Sequence, residues 1–122
     1  MYLKEVSILF DPAGPPSALD VTSSFSIVST GLIYSRVTQS YHGTITVTNT
    51  NTQTYAGPLE LTFQNLPSGV SLNAPSGTFQ GAPWLNLPGG LAPGQSVSLV
   101  LQFLDPGNIF VTFTNKLYSG TL

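Results

Sequence analysis

Few side chains in this chain could do chemistry, and they are spread thinly. His42 is the lone histidine of the 122 residues. It falls on the outward parity of an alternating stretch, beside Thr44, and without carboxylate or thiolate company it does not make a metal site. The acids are Glu5, Asp11, Asp20, Glu60 and Asp105. Asp105 sits in Asp-Pro-Gly-Asn, where its carboxylate is expected to cap its own turn. A calcium site would need several converging oxygens, and no second acid is close to it in sequence. Serines and threonines abound, but a hydroxyl nucleophile needs a base held by a third group. No Gly-x-Ser-x-Gly elbow and no phosphate-cradling glycine loop occurs. These residues assign no catalytic group, no metal and no cofactor. Trp84, taken with Tyr2, Tyr34, Tyr41, Tyr55 and Tyr118, offers aromatic faces on which sugar rings could stack. An amphipathic ring of this size also suits the end or edge of a core.

The segment with most to offer a partner is the first. Leu3–Phe10 places Val6, Ile8 and Phe10 alternately with Glu5, Ser7 and Leu9, so it is expected to be a strand. Asp11-Pro12-Ala13-Gly14-Pro15-Pro16 then separates it from the rest, because such a run continues neither a helix nor a central strand. Leu3, Val6, Ile8 and Phe10 are therefore the candidate contacts for strand exchange. Folded back, the segment would complete its own sheet; handed to a neighbour, it would complete that one's. Head-to-tail exchange does not close and makes filaments. Residues 1–24 form this strand and connector, and residues 25–122 the body.

The body consists of short alternating segments divided by turns. The clearest runs from Leu91 to Phe103. Pro93-Gly94 suits the centre of a type II turn, after which Val97, Leu99, Leu101 and Phe103 share a face opposite Ser96, Ser98 and Gln102. In Tyr41–Thr50, Ile45, Val47 and Asn49 alternate with a threonine row, and Val37–Ser40 is expected to be a hairpin loop. Leu59, Leu61 and Phe63 alternate with Glu60, Thr62 and Gln64. Shorter strands are expected at Phe25–Val28, Leu32–Arg36, Val70–Leu72, Gly77–Gln80 and Pro83–Leu87. Asp105-Pro106-Gly107-Asn108 is expected to form a type II turn, and Ile109–Tyr118 the last strand. Nothing longer than a turn has helical periodicity.

Charged residues make up only 7% of the chain, with three Lys and Arg and a net charge of −2. That leaves no cationic surface to track phosphates, so nucleic-acid binding is not expected. Nor is membrane insertion, since no apolar run approaches the length of a span. There is no cysteine, hence no disulfide framework. Met1-Tyr2-Leu3-Lys4-Glu5 lacks the pattern of a secretion signal. The weak charge also lets copies approach one another.

Four stretches together resemble the immunoglobulin-like or fibronectin-III-like repeat modules of bacterial and archaeal surface proteins, including the CARDB-like class. They are Gly43-Thr44-Ile45-Thr46-Val47-Thr48-Asn49-Thr50, Gly57-Pro58-Leu59-Glu60-Leu61, Leu66-Pro67-Ser68-Gly69-Val70-Ser71-Leu72 and Leu91-Ala92-Pro93-Gly94-Gln95-Ser96. The expected fold is an all-β, immunoglobulin-like antiparallel sandwich of about seven or eight strands with an extra N-terminal strand. The resemblance implies a non-catalytic, extracellular or cell-surface module that is structural or adhesive. Its partners would be itself, neighbouring domains of a longer chain, or, through Trp84, a glycan. It also raises an intramolecular Lys–Asn isopeptide bond, for which Lys4 or Lys116, Asn115 and Glu60 are the available parts.

Overall fold

A computed structural model describes residues 18–122. Ten strands occur among them: β1 (Leu19–Asp20), β2 (Phe25–Ser29), β3 (Ile33–Ser35), β4 (Ser40–Asn49), β5 (Leu59–Gln64), β6 (Ser71–Leu72), β7 (Gly77–Phe79), β8 (Ala82–Asn86), β9 (Ser96–Leu104) and β10 (Thr114–Ser119). One sheet has the order β1-β10-β5-β8-β7 and the other β2-β4-β9-β6, with β3 also paired to β4. Every pairing is antiparallel. The expected strand at Leu3–Phe10 lies outside the described residues.

Alternation explains why the two sheets pack. Ile45 and Val47 of β4 and Leu101 and Phe103 of β9 face Leu59, Leu61 and Phe63 of β5 and Leu117 of β10, and all eight are fully buried. Burying each such side chain contributes about 1.5–3 kcal/mol. Phe63, Phe103 and Phe113 form an aromatic cluster, with ring centroids 5.3–5.9 Å apart. The backbone of the second sheet is the nine-pair register of β4 and β9, Ser40↔Leu104 through Thr48↔Ser96. Its outer face is uncharged. Thr46 and Ser98 hydroxyls meet at 2.9 Å, and Thr48 and Ser96 at 2.6 Å.

The turn at Pro93-Gly94 forms as expected: Gln95 N–H donates to Ala92 C=O at 3.0 Å, and Gly94 has φ 80°. Asn49 fastens this turn to β4. Its main-chain N–H donates to Gln95 O, and its C=O accepts from Gly94 N. Its buried amide donates to Gln53 O at 2.8 Å and Leu91 O at 3.0 Å and accepts from Asn51 N at 2.9 Å. The β3–β4 hairpin forms one residue earlier than expected: residues 36–39 are its turn, and Ser40 already pairs with Ser35.

Two local expectations are corrected. The Asp105–Asn108 turn closes with Asn108 N–H on Asp105 C=O, but the left-handed residue is Asn108 (φ 52°) and not Gly107. It is therefore not type II, in which the third residue carries the positive φ. The last strand begins at Thr114 rather than Ile109. β5 ends at Gln64, opposite Thr114, so no ladder pair on that side continues to Phe113 or the residues before it. The mixed parity of Ile109–Phe113 belongs to an unpaired segment. In it Val111 is buried, Phe113 half-buried and Phe110 80% exposed.

Candidate functional site

β10 is the outermost long strand of its sheet. Beyond it lies only β1, paired as Leu19↔Ser119 and Asp20↔Tyr118. The chain then turns through a single 3-10 turn, Thr22–Ser24, and crosses to β2. At the crossing, Val21 N–H donates to Leu117 O at 2.9 Å and Leu117 N–H to Thr22 Oγ1 at 2.9 Å. Asp20 holds the corner. Its Oδ1 accepts from Thr22 N–H at 3.0 Å and Thr22 Oγ1 at 2.6 Å, and Lys116 Nζ lies 3.5 Å from its Oδ2. The Thr22 hydroxyl holds the Asp20 carboxyl below its ordinary value; burial opposes it, and the Thr22 amide and Lys116 add smaller lowering effects.

Past this corner no described strand lies on the flank. Leu117 turns both its N–H and its C=O toward it, and residues two apart point the same way. The main chain of Asn115 therefore faces the same flank, where no described strand pairs with it. Further along, the main chains of Phe110, Val111, Thr112 and Phe113 make no hydrogen bond to another described residue. Beside this segment a cleft of about 370 Å³ opens between the sheets, lined by Thr30, Leu32, Tyr41, Phe110, Val111 and Phe113 among others, with no charged group. Its far wall is the break between β2 and β3. There Thr30 N–H donates to Thr44 O at 2.8 Å and Thr30 Oγ1 accepts from Thr44 N at 2.9 Å. Leu32 seats over Gly43, where a Cβ would come within 2.7 Å of its Cδ2. At the opposite edge, a wider groove of about 600 Å³ lies between β6 and the β7–β8 hairpin, lined by Phe63, Leu66, Val70, Leu72 and Phe79 among others.

The residues singled out in the sequence occupy several places. Leu3, Val6, Ile8 and Phe10 lie outside the described residues, as do Tyr2 and Lys4. Trp84 is on the outer face of the first sheet, in register with Thr62. It is half-buried, with one side against Gly77, and its Nε1 is buried without a hydrogen-bond partner among the described residues. The tyrosines do not gather around it. Tyr34 packs at a tilt against Tyr41, Tyr55 likewise against Phe25, and Tyr118 meets Phe79 edge to face. Asp105 caps its loop as expected, with Ile109 N–H on its Oδ1 at 2.8 Å. Asn115 and Lys116 are consecutive on one strand and so face opposite sides. Asn115 donates to Thr62 O, and Lys116 pairs with Asp20. Those two side chains are not brought together for an isopeptide bond.

Two features were not foreseen. Glu60 is on the outward parity but only 2% exposed, and its Oε1 lacks a partner among the described residues. Burial pushes its carboxyl above the ordinary value, partly opposed by the Leu122 amide. Parity alone does not reveal that an outer face is covered. The second is a hydrogen-bonded network on the other sheet. His42 Nε2 lies 2.9 Å from Ser40 Oγ and 3.2 Å from Thr38 Oγ1, and Gln102 Nε2 donates to Ser40 at 3.1 Å. Ser40 is fully buried. Its oxygen is shared among three side chains, unlike a nucleophile held for attack. The Thr38-x-Ser40-x-His42 spacing was the signal for it. Among the described residues, no three of His, Asp and Glu come together.

Two antiparallel sheets packed face to face, with chain crossings between them, define an immunoglobulin-like sandwich. The profile of the family described as "Putative Ig domain" (He_PIG) matches residues 20–115. That is well over half of the chain, and the protein belongs to this family of immunoglobulin-like domains. The match supports the immunoglobulin-like assignment and not the CARDB-like subtype. Comparison with curated proteins and with solved structures found no match. Among the described residues no helix is long and apolar enough to cross a membrane.

Proposed function

We propose that this domain is a non-catalytic structural or adhesive module of an extracellular or cell-surface protein, and that copies of it self-assemble through the strand Leu3–Phe10. The observation that supports this best is the weak closure of β10. Among the described residues only the two of β1 pair with its outer flank, and they follow the connector that carries Leu3–Phe10. Strand addition at a sheet edge supplies main-chain hydrogen bonds for affinity and alternate side chains for specificity. The glycan alternative through Trp84 has less support, because one face of the ring is taken by Gly77 and the tyrosines are dispersed.

Sedimentation velocity on the full chain tests the proposal, alongside the double variant Val6→Asp/Ile8→Asp. The expected result is concentration-dependent oligomers in the parent and a folded monomer in the variant. A monomeric parent, or a variant that assembles like the parent, refutes it. A variant that unfolds shows the strand to be part of its own domain, which also refutes exchange.

A further inference from the structure

Resting on the self-assembly just proposed, we infer where the donated strand goes: into the slot along Phe110–Lys116, between that segment and the β2–β3 break of a second copy. Three observations converge on it. The first is a row of main-chain groups, from Phe110 to Phe113 and again at Asn115, that make no hydrogen bond to a described strand. Unpaired polar main chain next to a core is what an added strand satisfies.

The second is the uncharged cleft of about 370 Å³ beside that row. Phe110 stands at its mouth, 80% exposed. A large aromatic side chain left in water beside an apolar cleft gains by being covered. The third is a match of length and pattern. At roughly 3.3 Å per residue, Phe110–Lys116 offers about 23 Å of flank and Leu3–Phe10 supplies about 26 Å. Val6, Ile8 and Phe10 would enter the cleft, leaving Glu5 and Ser7 outside.

The geometry favours a second copy over the chain's own strand. β1 runs antiparallel to β10 and begins beside Ser119, so the chain enters it from beyond Gly120. The slot lies at the other end of β10, with Phe113 about 20 Å from Ser119 at ~3.4 Å per residue. Val21 and Thr22 occupy the flank between them, at Leu117. The chain's own strand would have to reverse through the proline-rich connector and pass over that crossing, whereas a neighbour's strand meets neither obstacle. The wider groove beside β6 and β7 fits less well, because β7 offers an edge of three residues only.

The test uses full-length chains in a cross-complementation. One chain carries Phe110→Asp, which puts a charge at the slot without touching the core. Asn115→Pro is the second acceptor variant, removing the N–H that faces the slot; Pro is tolerated on such an edge. The other chain carries Ile8→Asp. Each variant alone is expected to be monomeric. Mixed, each acceptor variant lends its intact strand to the intact slot of the Ile8→Asp chain, and sedimentation should show a 1:1 heterodimer that grows no further. If the acceptor variants still form chains like the parent, the strand docks elsewhere; this inference falls while self-assembly stands. If the Ile8→Asp chain still self-assembles, the strand reading itself falls. A mixture that stays monomeric overturns the slot.

Discussion

Replacing Asn49 by Ala removes a polar clamp at the base of the sandwich. Its side chain makes three hydrogen bonds, to Gln53 O at 2.8 Å, to Leu91 O at 3.0 Å and from Asn51 N at 2.9 Å. A typical intramolecular hydrogen bond contributes about 1 kcal/mol net, which gives about 3 kcal/mol. Two corrections oppose each other. Gln53 is exposed and its carbonyl can be rehydrated, and Leu91 O keeps the Tyr55 N–H at 3.0 Å. Against that, the truncated amide leaves a void in a fully buried site. The expected loss is roughly 2–3 kcal/mol, or a fall of about 6–12 °C in the thermal midpoint at roughly 3–4 °C per kcal/mol for a domain of this size. Asn49→Asp sharpens the test. A carboxylate keeps the acceptor for Asn51 but turns negative oxygen toward two carbonyls. It should be less stable than the alanine variant at neutral pH. Because its pKa is expected to be raised on folding, it should regain stability as the pH falls toward the unfolded value of about 3.9. Circular dichroism melts and urea titrations from pH 3 to 7 measure both. An alanine variant within about 0.5 kcal/mol of the parent, or an aspartate variant more stable than alanine at pH 7, would refute the clamp.

Three further outcomes are expected. Gly77→Ala drives a methyl group within 2.5 Å of the Trp84 ring, so it should displace the indole and red-shift the emission of this lone tryptophan; unchanged emission contradicts the packing. Glu60→Gln should raise stability at pH 7 by roughly 1 kcal/mol by neutralising a buried, half-partnered carboxylate. The parent Glu60 has a raised pKa, so its contribution is fully present below the unfolded value and lost as pH rises through the folded one. The gap between the two proteins should accordingly close at acid pH. Asp20→Ala should cost about 1 kcal/mol through the lost Thr22 cap, more than Lys116→Ala, whose exposed ion pair is worth less. Since Asp20 is held below its ordinary value, that cost should fade as the pH drops through its folded pKa; a Lys116→Ala loss equal to or above it would count against this ranking.

The long strands were legible because each buries one face. Alternation locates β4, β5 and β9 and names Ile45, Val47, Leu61, Phe63, Leu101 and Phe103 as core. Turn chemistry locates the bend at Pro93-Gly94. What alternation could not convey is company. Glu60 and Thr62 have the parity of solvent-facing residues yet are buried, because cover over an outer face comes from residues distant in sequence. Ile109–Phe113 has the composition of a strand and lacks a described partner, since pairing depends on how far β5 extends. β1 is two residues long and has no period to detect. The candidate edge was half legible: the proposed donor strand stood out by its alternation and prolines, whereas the proposed slot became visible only when β2, β3 and the segment before β10 were brought together.

The two-pair joint between β1 and β10 has a mechanical consequence. The chain enters β1 and leaves β10 at the same end of the sheet. Tension applied through these two points peels the joint open one pair at a time, as a zipper, instead of shearing both pairs together. The nine-pair ladder of β4 and β9 carries none of that load at first. Releasing Leu19–Asp20 would pay out about 7 Å of chain at roughly 3.4 Å per residue, while Val21 and Thr22 stay tied to Leu117 and Ser24 to Thr50. In a string of such modules, each joint would act as a weak spring that yields and re-closes before any sandwich unfolds.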